Sequence, residues 1–157
     1  MAATTTITER WPSRWGPRLL AASIIALGLS LARPAEATRV RLGLGANYWF
    51  VEEAVFDLTL GFTVPIVDRL SVGGRLGFGF VTGGNTVGLP IDLVVRFAPS
   101  RFYIEGVAGP WVFFEGDHLA GHAALGLGIV AGNWSFGAEV GYLEPRAILG
   151  AKIAYTF

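Results

Sequence analysis

Apolar and polar residues alternate along most of the chain, from Arg39 to its C-terminal residue. In the last segment Ile153, Tyr155 and Phe157 share one parity, whereas the residues between them are small or polar. A period of two places successive side chains on opposite faces and predicts strands, not helices. The alternating segments predict eight strands: Arg39–Tyr48, Ala54–Val64, Arg69–Val81, Thr86–Ala98, Arg101–Phe114, Leu119–Val130, Trp134–Tyr142 and Arg146–Phe157.

The predicted strands are joined by short segments that are rich in turn residues. Pro65–Asp68 and Thr82–Asn85 are the clearest of these, because Pro, Gly and Asn favour turns. Pro90 and Pro110 instead fall inside predicted strands, where a residue without an N–H weakens the ladder. We expect a bulge or the rim of the sheet to accommodate them.

Each predicted strand has one apolar face, and the opposite face carries the charges and many of the glycines. A soluble β-sandwich would not concentrate its glycines on one parity. A barrel in a membrane explains both faces, since lipid surrounds the apolar side and a narrow interior needs small residues beside its charges. Strands of about ten residues also suffice to cross the hydrocarbon layer. The predicted fold is all-β, an eight-stranded antiparallel up-and-down transmembrane β-barrel.

The alternative of a membrane-spanning helix concerns only Leu119–Ala138, where His122 is the sole ionisable residue. Five glycines inside that segment disfavour a helix, because each costs about 1 kcal/mol relative to Ala.

Aromatic residues on the apolar parity cluster near the strand ends and predict two belts at the two membrane interfaces. One belt comprises Tyr48, Phe56, Phe80, Phe114 and Tyr142, and the other comprises Phe62, Phe97, Phe102, Trp134, Phe136, Tyr155 and Phe157.

The N-terminal segment does not follow this pattern. Basic residues precede the apolar run Leu19–Leu31, and Ala35-Glu36-Ala37 follows it. A basic head, a short apolar centre and an Ala-x-Ala exit predict a secretory signal peptide at residues 1–37, with the barrel at 38–157. An uncleaved anchor is the alternative, but the run is short for a span of about 20 residues.

Composition and charge exclude some functions. The chain has no Cys, so disulfides and thiol chemistry are excluded. Its formal net charge is zero, which gives no electrostatic reason to expect a nucleic-acid partner.

The charged residues on the inner parity predict a network inside the barrel, comprising Asp57, Arg75, Asp92, Arg96, Glu105, Glu139 and Lys152. Buried charges persist when they are paired, because desolvating an isolated ion costs several kcal/mol. Counting residues along each strand puts Arg75 level with Asp57 and Asp92, and Glu139 level with Lys152. We therefore expect Arg75 to be held by Asp57 and Asp92, and a second pair Glu139–Lys152. Tyr103, Trp111 and Phe113 should fill the remaining space, leaving no continuous water channel.

The terminal aromatics Tyr155 and Phe157 resemble the assembly signal of bacterial outer-membrane barrels. The whole segment 38–157 resembles the small eight-stranded barrels of the OmpA, OmpX and OmpW type in architecture. This resemblance implies a monomer in the cell outer membrane, with outer-membrane lipids, lipopolysaccharide and the outer-membrane assembly machinery as partners. Two function classes stay open: a structural or passive membrane protein with a charge-plugged interior, or alternatively a barrel that binds or transports a small ligand.

Barrels of this class also include lipid A-modifying enzymes, and such chemistry requires a nucleophile beside a base. Thr82 and Thr86 are the only hydroxyls expected near His118 and His122, and no nucleophile is paired with a base. The two histidines are also too far apart along a strand, roughly 13 Å by the rise per residue, for one metal site. We expect no catalytic residues, no metal and no cofactor.

Overall fold

A computed structural model describes residues 38–50, 53–84, 86–114 and 119–157 of the chain. It contains eight strands: β1 Arg39–Trp49, β2 Glu53–Val67, β3 Leu70–Val81, β4 Thr86–Phe97, β5 Phe102–Phe113, β6 Leu119–Ala131, β7 Trp134–Leu143 and β8 Arg146–Thr156. The signal peptide predicted at residues 1–37 lies outside the described residues, and so does His118.

The eight strands form one closed antiparallel barrel in chain order. Each strand pairs with its sequence neighbours, and β1 pairs with β8 to close the cylinder, for example at Leu44 and Ile153. Closure leaves no strand edge without a hydrogen-bonding partner strand. The eight-stranded barrel predicted from the alternation is confirmed, with strand boundaries that differ by at most a few residues.

The two ends of the barrel differ in the segments that they carry. We call the end with Arg39, Thr156 and the turns at 68–69, 98–101 and 132–133 the terminal end. The opposite end, where β1, β3, β5 and β7 finish and β2, β4, β6 and β8 begin, is the loop end. Every odd-numbered strand runs from the terminal end to the loop end, and every even-numbered strand runs back.

The outer surface of the barrel is apolar. Leucine, valine, isoleucine and phenylalanine side chains on the outward parity are exposed along every strand, as Leu93 at 71% and Leu125 at 60% illustrate. The aromatic residues expected at the two rims are on this outer face, and Trp134, Tyr155 and Phe157 form edge-to-face contacts at 5.0–5.1 Å at the terminal end. Within the described part of the chain, no helix is long and apolar enough to cross a membrane.

The turn predicted at Pro65–Asp68 is shorter in the structure. β2 continues past Pro65 to Val67, with a shift of pairing register between these two residues. Pro65 has no N–H for the ladder, and an irregularity of this kind is where sheets tolerate proline. The turn is reduced to Asp68 and Arg69, and Arg69 has a positive φ of 74°.

Pro90 and Pro110 lie inside β4 and β5, so the expectation of a bulge or rim position is wrong. The β3–β4 ladder is interrupted between Gly88 and Ile91, and the β4–β5 ladder between Pro90 and Leu93, while each keeps one register on both sides. The missing N–H of each proline removes local hydrogen bonds without adding a residue. Pro90 is buried on the inner face, and Pro110 is exposed on the outer face.

Candidate functional site: the interior of the barrel

The centre of the interior is organised by Arg75. Arg75 on β3 and Asp92 on β4 are direct cross-strand partners, so both side chains leave the sheet on the inner face at one level. Arg75 Nε and Nη2 both donate to Asp92 Oδ2, at 3.0 and 2.7 Å. Both residues are buried, which makes the charge-assisted hydrogen bonds between them strong.

Glu139 on β7 connects this pair to the opposite wall. Arg75 Nη1 lies 3.3 Å from Glu139 Oε2, across the interior of the barrel. The same oxygen accepts a hydrogen bond from Lys152 Nζ on β8. One carboxylate therefore links two cations, and the side chains of three strands are tied across the lumen.

His122 on β6 is part of the same network. Its Nδ1 lies 3.0 Å from Asp92 Oδ1, and its Nε2 lies 3.9 Å from Glu139 Oε1. The imidazole also meets Trp111 edge-on, with ring centroids 5.6 Å apart. Sequence reasoning considered His122 only as a metal ligand or a base, although its inward parity was a sufficient signal for a place among the charges.

Asp57 does not hold Arg75 as expected; its carboxylate Oδ2 accepts a hydrogen bond of 2.7 Å from Asn47 Nδ2 on the adjacent strand β1. The reason lies in Gly45, the direct cross-strand partner of Asp57. With no side chain on Gly45, the Asp57 carboxylate lies over the backbone of β1, and a Cβ at Gly45 would overlap it. This brings the carboxylate to Asn47, and Glu139 takes the position by Arg75 that was expected for Asp57.

A second cluster lies nearer the terminal end. Glu105 Oε2 accepts hydrogen bonds from Arg41 at 2.9 Å and from Arg96 at 3.1 Å. The Arg96 guanidinium also stacks over Tyr103, with Cζ 3.6 Å from the ring centroid. Arg96 and Glu105 are direct partners of β4 and β5, whereas Arg41 arrives from β1. Sequence reasoning did not include Arg41 in the interior set.

The loop end of the interior is apolar. A cluster of buried side chains, which we call the apolar plug, comprises Val55, Val81, Trp111, Phe113, Ala120, Leu143 and Ile148. Trp49 packs against it, nearly parallel to Phe113 with ring centroids 6.5 Å apart, and donates from Nε1 to the Leu143 carbonyl oxygen at 2.9 Å. The plug extends the filling role expected of Trp111 and Phe113 to aliphatic residues that were not predicted.

Glycines on the inner face make room for these large side chains. A Cβ at Gly79 would lie 2.7 Å from the Trp111 ring, and one at Gly137 would overlap the Tyr103 hydroxyl. This is the close approach that the placement of glycine on the charged parity predicted.

The contacts of the interior side chains determine which chemistry the lumen can support. Every residue of the predicted charge set lies on the inner face, and all are engaged with another side chain. The hydrogen bonds of the Ser71, Ser135 and Thr59 hydroxyls that the structure gives are to carbonyl oxygens of the backbone. Among the described residues, no group of three or more His, Asp or Glu side chains could hold a metal ion.

No protein-family model and no curated protein matches this chain. Solved structures do match. A de novo designed transmembrane β-barrel superposes with a TM-score of 0.59 and 16% identity over 80% of this chain and 99% of that chain. The N-terminal β-barrel domain of Pseudomonas aeruginosa OprF superposes with a TM-score of 0.55 and 14% identity, over 76% of this chain and 97% of that chain. The outer-membrane enzyme PagL superposes with a TM-score of 0.51 and 18% identity, over 76% of this chain and 98% of that chain. At these identities the similarity concerns the fold alone, and it confirms that the chain shares the architecture of the small eight-stranded barrels of bacterial outer membranes.

Proposed function

We propose that residues 38–157 form an outer-membrane barrel with a closed interior and a structural or passive role, and that the chain is neither an open pore nor an enzyme. The proposal places the protein in the cell outer membrane as a monomer. Its partners are then outer-membrane lipids, lipopolysaccharide and the assembly machinery that inserts barrels.

The membrane location is supported by the outer surface. Large apolar side chains are exposed on all eight strands, a distribution that would be costly in water and is expected against lipid. The aromatic residues near both rims fit the two interfaces of a bilayer. A closed ladder leaves few unsatisfied backbone groups for the hydrocarbon to contact.

The single observation that carries the closed interior is the succession of layers along the barrel. The Arg41–Glu105–Arg96 cluster, the network around Arg75 and the apolar plug follow one another from the terminal end to the loop end. An ion would have to break buried ion pairs and then pass the buried apolar side chains of the plug. Both barriers oppose conduction through the lumen.

An enzymatic role lacks a suitable site in the described residues. His122 is buried in the interior and engaged with Asp92 and Trp111, away from any lipid substrate on the outer surface. In the described part of the chain, the hydrogen bond of His122 is to Asp92, and none is to a hydroxyl that could act as a nucleophile. The similarity in fold to an outer-membrane enzyme does not alter this, since fold and function are separable.

Reconstitution of purified protein into planar bilayers tests the closed interior, and mass spectrometry of the lipids from the same sample tests for lipid modification. We expect no stepwise conductance and an unmodified lipid spectrum. Well-defined conductance steps would refute the closed lumen, and a shifted lipid A mass would refute the non-enzymatic role.

Cell fractionation tests the location. We expect the mature protein to begin at or near Thr38 and to sediment with outer membranes. Deletion of Phe157 should lower the folded band on a heat-modifiability gel without preventing secretion, because Phe157 belongs to the proposed assembly signal. An intact Met1 in the membrane fraction, or an unchanged folded band after the deletion, would count against these assignments.

A further inference from the structure

The terminal end of the barrel contains a cavity of about 460 Å³ whose charged side chains are all basic. We call it the arginine basin, and its guanidinium groups come from Arg39, Arg41, Arg69 and Arg96. None of the residues that line it is Asp or Glu within the described part of the chain. Phe157 also lines the basin, and even with a terminal carboxylate there the positive charges outnumber the negative.

The inner two guanidinium groups are held in place from beneath. Arg41 and Arg96 both donate to one oxygen of Glu105, at 2.9 and 3.1 Å. One carboxylate cannot neutralise two cations, so this floor of the basin keeps a net positive charge. Each guanidinium has five N–H donors, which leaves donors available for a ligand. The bonds to Glu105 already hold the Arg41 and Arg96 side chains in place, which lowers the entropic cost of binding a ligand.

The outer two guanidinium groups have no ion pair with any described residue. Arg39 begins β1, and Arg69 occupies the two-residue turn between β2 and β3. Arg69 adopts φ 74°, a conformation that glycine or asparagine takes readily and that costs other residues of order 1 kcal/mol. The turn itself would favour glycine at position 69. The presence of Arg69 there, at the rim of a basic cavity, indicates that its charge has a role other than forming the turn.

The cavity at the loop end provides an internal comparison. It has a similar volume of about 510 Å³, but its charged lining residues are Glu53 and Glu144. Its lining also includes Phe113 of the apolar plug and Trp49, which packs against the plug. Two cavities of similar size at opposite ends of one lumen therefore have opposite charge. Only the basin at the terminal end is suited to an anion.

We propose that the arginine basin binds a phosphate group. Guanidinium groups match phosphate oxygens in geometry and can form paired hydrogen bonds to them. The volume is within the range of small-molecule sites, so it accommodates a phosphate ester and not merely a halide. The ligand is either a free phosphate ester or the headgroup of an anionic phospholipid, both of which present this chemistry. The inference does not depend on the membrane role proposed above, since it rests on the cavity alone.

Calorimetric titration of the folded protein in a nonionic detergent with glycerol phosphate and pyrophosphate tests the free-ligand source. Arg69→Gly is the most informative variant, because glycine suits the positive φ and should preserve the turn. We expect Arg69→Gly and Arg39→Gln each to weaken binding by about 3- to 10-fold, the effect of losing one charge-assisted hydrogen bond at a partly solvated site. The heat-modifiable folded band should be unchanged.

Arg101→Gln is the matched control. Arg101 is exposed in the neighbouring turn at the same end of the barrel and does not line the basin, so this variant changes the net charge equally. We expect wild-type affinity. A second arm places the protein in nanodiscs of phosphatidylglycerol or phosphatidylcholine and compares the urea midpoints of wild type and Arg69→Gly.

Binding of the free anions that Arg69→Gly weakens and Arg101→Gln does not supports a basin for soluble phosphate esters. Stabilisation by phosphatidylglycerol alone, lost in Arg69→Gly, supports the same basin with a lipid headgroup as ligand. The proposal is overturned if neither the anions nor phosphatidylglycerol has an effect, or if Arg101→Gln weakens binding as much as Arg69→Gly.

Discussion

The network around Arg75 and the apolar plug close the same lumen by different physical means. The network consists of a small number of side chains joined by hydrogen bonds. Each carboxylate accepts from a specific donor, as Asp92 does from Arg75 at 2.7 and 3.0 Å. In the plug, Val55 and Leu143 are fully buried and make apolar contacts. The network depends on charge pairing, whereas the plug depends on volume.

This difference determines how each region should respond to substitution. Removal of one partner from a buried ion pair is costly where it leaves a charge uncompensated in the interior. Truncation of a packed apolar side chain leaves a cavity, and its cost depends on how far the neighbours collapse. The stability of the network should therefore depend on the charge and hydrogen-bonding groups of each side chain. The stability of the plug should depend on side-chain volume.

The largest effect is expected for Arg75→Leu. The substitution removes the shared partner of Asp92 and Glu139 in the buried interior, and we expect a loss of about 3–5 kcal/mol in the free energy of unfolding. Urea unfolding of the protein in detergent measures it. Arg101→Leu, in an exposed turn, is the control and should remain within about 0.5 kcal/mol of wild type. An unchanged urea midpoint for Arg75→Leu would show that the network does not stabilise the barrel.

A somewhat smaller effect is expected for Leu143→Ala in the apolar plug. Leu143 is fully buried, so truncation removes apolar contacts and leaves a cavity, at a cost of roughly 3 kcal/mol. Leu143→Met conserves volume and should cost less than about 1.5 kcal/mol. The ratio of the two losses, measured in urea, reports whether size governs this region. Equal losses for Ala and Met would contradict a region governed by volume.

The alternation of the sequence was sufficient to predict the strands, their number, the closed barrel and the inner face. It also placed Arg75 and Asp92 on that face at one level, and Glu139 and Lys152 on it as a second level pair. These features follow from parity and strand length, which are local properties of the chain. The Arg75–Asp92 and Glu139–Lys152 contacts, each between adjacent strands, were accessible for the same reason.

The partner of Asp57 could not be predicted, because it depends on the space above Gly45 and on side-chain rotamers. The contact between Arg75 and Glu139 joins β3 to β7 across the lumen, and its occurrence depends on the shear of the closed barrel. The apolar plug was missed for a different reason. Val55, Val81 and Leu143 share the parity of the charged residues, but only charged and aromatic residues were predicted to fill the interior.

An intermediate effect is expected for Gly45→Ala, which tests the geometric reason for the Asp57–Asn47 contact. The added Cβ would overlap the Asp57 carboxylate and displace it from Asn47, at a cost of about 1–3 kcal/mol for overpacking. Gly61→Ala is a matched control on the adjacent strand, because the nearest atom to its Cβ would be 3.7 Å away. Urea unfolding should separate the two variants. A loss for Gly61→Ala as large as that for Gly45→Ala would indicate a general cost of adding a methyl group to the lumen.

The smallest effect is expected for Lys152→Met, which separates the edge of the network from its centre. Lys152 has a side chain that is 12% exposed, against 7% for Arg75, so solvent compensates part of its loss. Its acceptor Glu139 also retains Arg75 Nη1 at 3.3 Å, and no carboxylate is left without a cation. Met conserves the length and packing of the lysine stem. We expect a loss of about 1 kcal/mol, the usual value of one hydrogen bond with a remaining partner. Lys152→Arg keeps the charge and should lie close to wild type in the same urea titration. If Lys152→Met instead cost as much as Arg75→Leu, Glu139 would depend on Lys152 and not on Arg75, and the network would be centred on β7 and β8.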